Sequence, residues 1–307
     1  MRPEMGHARR LVLIPPLLAL TWGLNWPAVK IMLSVMPPFW LRGVGLGGGA
    51  VLLLIAAKVV GRRAWPLRQD WPGIALGGVL NVAVFNLCTA VAQLNTSTSR
   101  AAVLTFTMPM MSAVLAWLFL GERLDRRGAL ALLLGTVGIA LLAWPALQAV
   151  RQGQGHAWIG LAMPLTAALA WALGSIAIKR WPLAGDAMVT TAWQLLIGAA
   201  LGLGLAVATA EVWPTVWTAR VLWALAFHIC FSTAIAYVLW FMLLAQASVT
   251  VSSMTTLAVP VVGVLGAMAL VGDRPSLLDG LGFVLVLGGA GLILVRLGWP
   301  FTRARRT

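Results

Sequence analysis

The sequence predicts an all-α integral membrane protein with ten transmembrane helices, arranged as two inverted five-helix repeats. Three observations support this prediction: an apolar composition, a succession of long uncharged segments, and a repeat of residue types between the two halves. Of the 307 residues, 61% are hydrophobic and 10% are charged. A water-soluble domain of that composition lacks enough polar side chains to cover its surface. The chain must therefore contact lipid over much of its length.

Ten stretches have the length and composition of membrane-spanning helices. An α-helix crosses roughly 30 Å of hydrocarbon with about 20 mostly apolar residues. The uncharged runs are too long for strands and lack the alternating pattern of a membrane β-barrel, so helices are favoured. Only a mild polar dip at Gln246, Ala247 and Ser248 separates spans eight and nine. The predicted spans are 11–31, 38–58, 71–92, 98–120, 127–147, 157–178, 187–208, 221–244, 249–271 and 276–296.

Basic residues are concentrated on one set of loops. If the N-terminus is cytoplasmic, most of the 22 lysine and arginine residues fall in cytoplasmic segments, where membrane proteins carry excess positive charge. We therefore expect both termini to be cytoplasmic. Insertion topology and contact with anionic lipid heads explain the formal net charge of +14, so no nucleic-acid partner is expected.

Residue types recur at corresponding positions of the two predicted halves, 1–150 and 151–307. The segment from Trp22 to Lys30 reads WGLNWPAVK, and the segment from Trp171 to Lys179 reads WALGSIAIK. Each half contains five spans, an odd number, so the second half must enter the membrane from the opposite face. A second set of matches pairs Pro109 and the Gly121, Glu122, Arg123 triplet with Pro260 and the Gly272, Asp273, Arg274 triplet.

With these features the chain resembles the drug/metabolite transporter superfamily, in particular its ten-helix carriers with two EamA-type domains. This resemblance implies a plasma-membrane carrier, located in the inner membrane if the source is a Gram-negative bacterium, that exports amino acids or related small metabolites by alternating access. Gly174 departs from the pattern because it replaces the asparagine in the second copy. The residues that carry the resemblance are Trp22, Gly23, Asn25, Lys30, Pro38, Arg42, Ser97 to Pro109, and Leu120 to Arg123.

Polar and aromatic side chains inside the predicted spans indicate where a small-molecule substrate could bind. Polar groups in lipid are costly unless they face a cavity or a partner. The alternative is that such residues only form hydrogen bonds between packed helices. His228 could relay a proton or stay neutral and hydrogen-bonded. The candidate substrate-binding residues are Trp22, Asn25, Asn81, Phe85, Thr105, Trp171, Ser175, His228, Tyr237 and Thr256.

Cations and prolines define two further groups of candidates. Lys30, Arg42 and Arg100 are predicted near the outer mouth, where they could attract a carboxylate or phosphate or extend to lipid phosphates. Pro109 and Pro260 occupy matched positions in spans four and nine. Each removes a backbone hydrogen bond and permits a kink, which could be a hinge or a static bend.

Catalytic chemistry has little support in the sequence. There is no phosphate-binding glycine loop, and we find neither paired carboxylates nor a histidine-rich cluster within the spans. We therefore expect no cofactor, no metal and no enzymatic activity. The competing interpretation is a membrane-embedded enzyme or a scaffold without transport activity. All eight acidic residues lie at termini, loops or span ends: Glu4, Asp70, Glu122, Asp125, Asp186, Glu211, Asp273 and Asp279.

Overall fold

The computed structural model describes residues 3–120, 126–246 and 258–295, and the regular structure in these ranges is helical. The Gly121, Glu122, Arg123 triplet and the boundary at Ala247 and Ser248 lie outside the described residues. The first half contains helices α1 Pro3–Met32, α2 Pro38–Val59, α3 Trp71–Gly77, α4 Phe85–Asn95, α5 Thr98–Thr105, α6 Met108–Leu120 and α7 Arg126–Arg151. The second half contains α8 Ile159–Arg180, α9 Ala187–Ala208, α10 Ala219–Phe227, α11 Ala236–Gln246, α12 Ala258–Val271 and α13 Leu277–Val295.

Several of these helices, alone or joined end to end, can cross a membrane. Two shorter apolar helices, Ala258–Val271 and Leu277–Leu292, accompany them, while the count of ten spans stays a prediction. By length and composition the described residues contain seven candidate spans: Pro38–Val59, Arg68–Asn95, Thr98–Phe119, Arg126–Arg151, Ile159–Ile178, Ala187–Ala208 and Ala219–Leu243.

Large apolar side chains cover much of the outside of the bundle. Among the most exposed are Ile55, Phe119, Leu133, Trp223 and Val284. In water such a surface would be unfavourable, because contiguous exposed apolar area drives association. In a bilayer the same surface meets hydrocarbon tails. The exterior therefore agrees with the membrane class that the composition predicts.

Helices of the two halves pack in corresponding pairs. Helix α2 packs along α9, and α7 packs along α13. Helix α1 contacts α12 and the α10–α11 span, while its counterpart α8 contacts the α5–α6 span and the α3–α4 span. Each contact between a helix of one half and a helix of the other thus recurs between the two corresponding helices with the halves exchanged. Such reciprocal packing is expected if the halves are related by a two-fold axis.

Glycine allows the α2–α9 pair to approach closely. A Cβ atom added at Gly202 would lie 3.0 Å from the backbone nitrogen of Gly43, across the helix interface. That separation is shorter than an ordinary contact, so a larger residue at this crossing would push the two backbones apart. Small residues at helix crossings in membranes serve this purpose, because packing rather than hydrophobic burial holds such helices together.

Two π-helical segments interrupt the spans at matched positions. Gly78–Val84 separates α3 from α4, and His228–Ile235 separates α10 from α11. A π segment widens the helix locally and changes which side chains share a face; such segments are frequent at functional sites. Phe85 and Asn86 follow the first segment and Tyr237 follows the second, and these side chains face the centre of the bundle. Neither π segment was predicted from the sequence.

The two predicted hinge prolines, Pro109 and Pro260, lie close to the first described residue of a helix. Pro109 is the second residue of α6, and the chain breaks just before it, between Thr105 and Met108. In a first turn the missing proline N–H has no intrahelical partner to lose, so proline is tolerated there. Pro260 lies in the first turn of α12 as the structure describes it. The break lies in the turn before Pro109, where a proline disrupts a helix, and the hinge role of both prolines stays a prediction.

Candidate functional site

A cavity lies at the centre of the bundle, where α1, α2, α4, α8 and the α10–α11 span meet. The space between its lining atoms amounts to about 590 Å³, including its open mouth. It is lined by Trp22, Asn25, Trp26, Val29, Arg42, Phe85, Asn86, Thr89, Gln93, Phe106, Met108, Trp171, His228, Ser232, Thr233, Tyr237 and Val259. Both halves of the chain therefore contribute to one cavity.

Aromatic rings form one wall of the cavity. Trp22 of α1 meets Trp171 of α8 edge to face, with ring centroids 5.5 Å apart, and it meets Tyr237 at 5.7 Å. Phe85 lies 4.6 Å from Trp171. The indole nitrogen of Trp22 donates a hydrogen bond to the carbonyl of Ser232 at 3.0 Å, which fixes the ring. Edge-to-face pairs of this kind are favourable beyond the area they bury, so the wall is well ordered.

A polar pair crosses from the first half to the second beside this wall. Asn25 Oδ1 lies 2.8 Å from His228 Nδ1, so a neutral imidazole donates from Nδ1. Its Nε2 makes no hydrogen bond within the described residues. Ser232, the next polar residue on the same π segment, donates to the carbonyl of Thr21 at 2.8 Å. These two bonds attach the π segment of the second half to α1.

Three of the predicted site residues lie behind the cavity wall. Asn81 Nδ2 donates to the carbonyl of Trp171 at 3.0 Å and to Ser175 Oγ at 3.4 Å. Thr105 donates to the carbonyl of Ala101 at 2.8 Å, as threonines within helices commonly do. Asn81 and Ser175 therefore form a hydrogen bond between helices, which is the alternative that the sequence left open, whereas Thr105 bonds within α5. Thr256 lies outside the described residues.

The Tyr237 hydroxyl connects the aromatic wall to α4 and to the π segment that precedes it. Asn86 Nδ2 donates to the Tyr237 hydroxyl at 2.6 Å, and that hydroxyl donates to the carbonyl of Asn81 at 3.4 Å. The Tyr237 ring is thus held at both its apolar body and its polar tip. Among the predicted residues, Trp22, Asn25, Phe85, Trp171, His228 and Tyr237 line the cavity together.

The three cations that were predicted at the outer mouth have different surroundings. Lys30 Nζ donates to the carbonyl of Gln93 at 2.6 Å. Arg100 binds Asp279 through two parallel hydrogen bonds of 2.9 and 3.1 Å. Arg42 differs most from the prediction, because its side chain lines the cavity and the residue is only 2% exposed. Its guanidinium donates to Thr89 of α4, so Arg42 faces the interior of the bundle and not the lipid surface.

One face of α4 belongs to the site and was not predicted as a group. Asn86, Thr89 and Gln93 line the cavity, and their spacing of three and four residues places them on one side of an α-helix. That spacing of amide and hydroxyl groups within an apolar span was the signal available in the sequence. None of the cavity-lining residues in the described ranges is acidic. In the same ranges, no group of three or more His, Cys, Asp and Glu side chains is placed to hold a metal ion.

Comparison with known proteins gives a family match over most of the chain. The model of the EamA-like transporter family matches twice, at residues 12–144 and 158–295. The chain is 26% identical over 259 residues to "Uncharacterized transporter YvbV" of Bacillus subtilis (strain 168), a match that covers 84% of this chain and 83% of that protein.

Two relatives from Escherichia coli (strain K12) have more informative names. The chain is 25% identical to a "Probable amino-acid metabolite efflux pump", covering 92% of this chain and 94% of that one. It is 26% identical to "Uncharacterized inner membrane transporter YedA", covering 92% and 89%. A crystal structure with 22% identity superposes with a TM-score of 0.66 over 95% of this chain and 99% of that chain, which supports the fold alone.

Proposed function

Because the chain belongs to the EamA-like transporter family, we propose that it carries small metabolites, amino acids or related compounds, out of the cell by alternating access. Its relatives are named as transporters, so membrane transport in general follows from the family. The observation that carries the finer proposal is the central cavity. Trp22 belongs to the first matched segment, whereas Trp171 and Tyr237 belong to the second, and all three line one space.

The proposed architecture is ten spans in two inverted halves, with both termini in the cytoplasm. The reciprocal pairing of helices supports this arrangement, because each half makes the contacts that the other makes. Two similar halves around one site can exchange conformations, so that a state open to one side implies a state open to the other with comparable energy. The division near residue 150 belongs to this proposal.

Two carboxylates form hydrogen bonds between the halves, and we call each set of these bonds a latch. Glu211, in the connection after α9, accepts from the backbone N–H groups of Phe39 and Trp40 at the start of α2. Asp70, in the connection after α2, accepts from the N–H groups of Ala184 and Gly185 before α9. In the inverted arrangement these contacts lie on opposite sides of the membrane. Opening each side would then require release of one latch, as alternating access demands.

Export of amino-acid-like compounds is supported by the E. coli relative named as a probable amino-acid metabolite efflux pump. The cavity suits compounds with an apolar body, because indole, phenol and phenyl rings dominate one wall and a few amide and hydroxyl groups face them. Binding sites for small molecules commonly combine an apolar lining with a few placed polar groups.

Flux measurements test the carrier proposal. Purified protein in proteoliposomes is expected to move at least one member of a panel of radiolabelled amino acids and related metabolites. Flux should fall to background in the Trp22→Ala/Tyr237→Ala double variant, because both rings of the wall are lost. The matched control is Trp223→Ala, since Trp223 is 77% exposed and faces lipid. Flux that is unchanged in the double variant would exclude this cavity, and no flux for any compound would favour the scaffold or enzyme alternative.

Cysteine labelling tests the inverted topology. With Cys88 and Cys230 replaced by alanine, single cysteines near Glu122 and Asp273 are expected to react with an impermeant maleimide from opposite sides of the membrane. A position between α7 and α8, such as Gly153, should label from the same side as the Asp273 position. If the Glu122 and Asp273 positions label from one side, the halves are not inverted.

A further inference from the structure

Arg42 is a buried cation whose hydrogen-bonding capacity is largely unused. Its residue is 2% exposed, and it lines the cavity from α2. Nη2 donates to Thr89 Oγ1 at 3.0 Å. Nε and Nη1 have no hydrogen-bond partner within the described residues. Nη2 carries a second hydrogen, so the guanidinium keeps one two-donor edge, formed by the remaining N–H of Nη2 and the free N–H of Nε or Nη1.

No carboxylate of the described residues balances this charge. Asp70, Glu211, Asp273 and Asp279 accept hydrogen bonds from other groups at the ends of helices, and Asp186 caps α9. Outside the described side chains, the segment from residue 247 to 257 contains no acidic residue, and Glu4, Glu122 and Asp125 are predicted at the N-terminus and in a cytoplasmic loop. A buried charge without a counter-ion is strongly unfavourable, so buried charges in proteins are usually paired with an opposite charge.

A second unused donor belongs to the same cavity. Gln93 is fully buried and lines the cavity, and its Nε2 has no hydrogen-bond partner within the described residues. Its Oε1 accepts from Thr98 Oγ1 at 3.4 Å, which orients the amide so that the nitrogen is the free end. Arg42 and Gln93 thus contribute N–H donors without partners to the cavity lining, and no described lining residue is acidic.

We propose that Arg42 is the anion subsite of the cavity, and that the transported compounds are organic anions with one carboxylate and an apolar or aromatic body. The fork of a guanidinium matches the two oxygens of a carboxylate, and such paired charge-assisted bonds are the strong ones. Gln93 Nε2 supplies a further donor. The body of the compound lies against Trp22, Phe85 and Trp171. This inference rests on the proposed function and narrows its substrate class.

The lack of acidic lining residues separates anions from zwitterions. A zwitterionic amino acid would bring an ammonium group into the cavity, where the described lining offers no carboxylate to pair with it. Desolvating that ammonium would cost free energy without a matching gain. The cavity should therefore prefer a carboxylate without an amine over the amino acid that has the same ring.

A matched series of probes tests this preference by isothermal titration calorimetry on the purified full chain in detergent. The probes are 3-phenylpropionate, L-phenylalanine, 2-phenylethylamine and 3-phenylpropionamide, which share one ring and differ in charge. We expect 3-phenylpropionate to bind tighter than the amide by roughly tenfold or more, the worth of charge-assisted hydrogen bonds. L-Phenylalanine should bind between these two, and the amine should bind most weakly.

Variants assign the preference to Arg42. In Arg42→Met the advantage of 3-phenylpropionate over the amide should disappear, while affinity for the amide stays within twofold and serves as the folding control. Arg42→Lys should recover part of the advantage, because it restores charge but not the fork. Arg63→Met makes the same change at an exposed loop position and should leave all four affinities unchanged.

The outcomes are distinct. Absent binding of 3-phenylpropionate, equal affinity for the acid and its amide, or an advantage that survives Arg42→Met would each overturn the inference. Binding of inorganic phosphate without 3-phenylpropionate would also overturn the carboxylate assignment. Failure of transport is detected separately, in the proteoliposome assay: a protein that prefers the anion but moves nothing keeps the subsite and loses the carrier function.

Discussion

Arg42 and Arg100 are two arginines in apolar spans whose surroundings differ. Arg100 places its fork on Asp279, which also accepts from the backbone and hydroxyl of Ser276. Arg42 has a single threonine partner and a cavity beside it. From the sequence alone the two residues had the same expected role. The comparison teaches that a buried arginine with its counter-ion joins helices, whereas one without a counter-ion among the described residues keeps donors that a ligand can use.

The largest expected effect is on stability at the paired arginine. Arg100→Met should lower the free energy of unfolding by about 3 kcal/mol, because it leaves Asp279 buried without its partner. Apparent melting temperature, measured by size-exclusion chromatography after heating, reports this change. The affinity for 3-phenylpropionate should not change, since Arg100 does not line the cavity.

The double variant Arg100→Met/Asp279→Leu is the control for that prediction. Removal of both charges should recover most of the lost stability, because no unpaired charge remains. If the double variant is as unstable as Arg100→Met, the loss came from packing and the comparison with Arg42 fails.

The unpaired arginine should behave in the opposite way. Arg42→Met should leave the stability of the ligand-free protein unchanged or raise it by up to about 2 kcal/mol, because a buried charge without a counter-ion is removed. The same melting assay without added ligand reports the result. A drop as large as that of Arg100→Met would mean that Arg42 is an internal cross-link instead of a ligand site.

A smaller effect is expected where the aromatic wall is held by a hydroxyl. Tyr237→Phe removes the group that accepts from Asn86 and donates to the carbonyl of Asn81. Loss of these bonds should cost about 1 kcal/mol of unfolding free energy. Binding of 3-phenylpropionamide should change little, since the ring remains. A loss of stability in Tyr237→Phe as large as in Tyr237→Ala would contradict this division between ring and hydroxyl.

The smallest effect concerns the threonine that orients Arg42. Thr89→Val keeps the shape of the side chain and removes the acceptor for Nη2. Affinity for 3-phenylpropionate should fall by roughly threefold, because the fork is less well oriented but keeps its charge. Titration calorimetry measures the change, and unchanged affinity for the amide is the control. If Thr89→Val loses as much affinity for 3-phenylpropionate as Arg42→Met does, Thr89 itself contributes to binding the carboxylate of the ligand.

Much of the helix pattern could be predicted from the sequence. The predicted spans 38–58 and 187–208 correspond to Pro38–Val59 and Ala187–Ala208. Lipid acts as a uniform solvent, so the length of an apolar run is enough to locate a helix. The break between α5 and α6 lies in the turn before Pro109, where the sequence predicted a kink. The π segments could not be predicted, because such local changes depend on packing against neighbouring helices.

Part of the cavity was also within reach of the sequence. The repeat paired Trp22 with Trp171, and the structure brings both rings together. Their role in binding stays a prediction. Asn81 was indistinguishable from Asn25 in the sequence, because both are amides in apolar spans. The structure distinguishes them: Asn81 bonds to the backbone of a neighbouring helix, whereas Asn25 lines the cavity.

The sequence by itself determined the membrane class, the approximate positions of the helices and the correspondence between the halves, because composition, length and repetition are properties of the chain read locally. Only the tertiary structure decided which polar groups have partners. Asp279 lies far from Arg100 along the chain, and only the packing of the helices brings the two together. The same packing leaves Arg42 without a carboxylate among the described residues. The free energy of a buried charge depends on those neighbours, so the chemistry of the site became visible only in three dimensions.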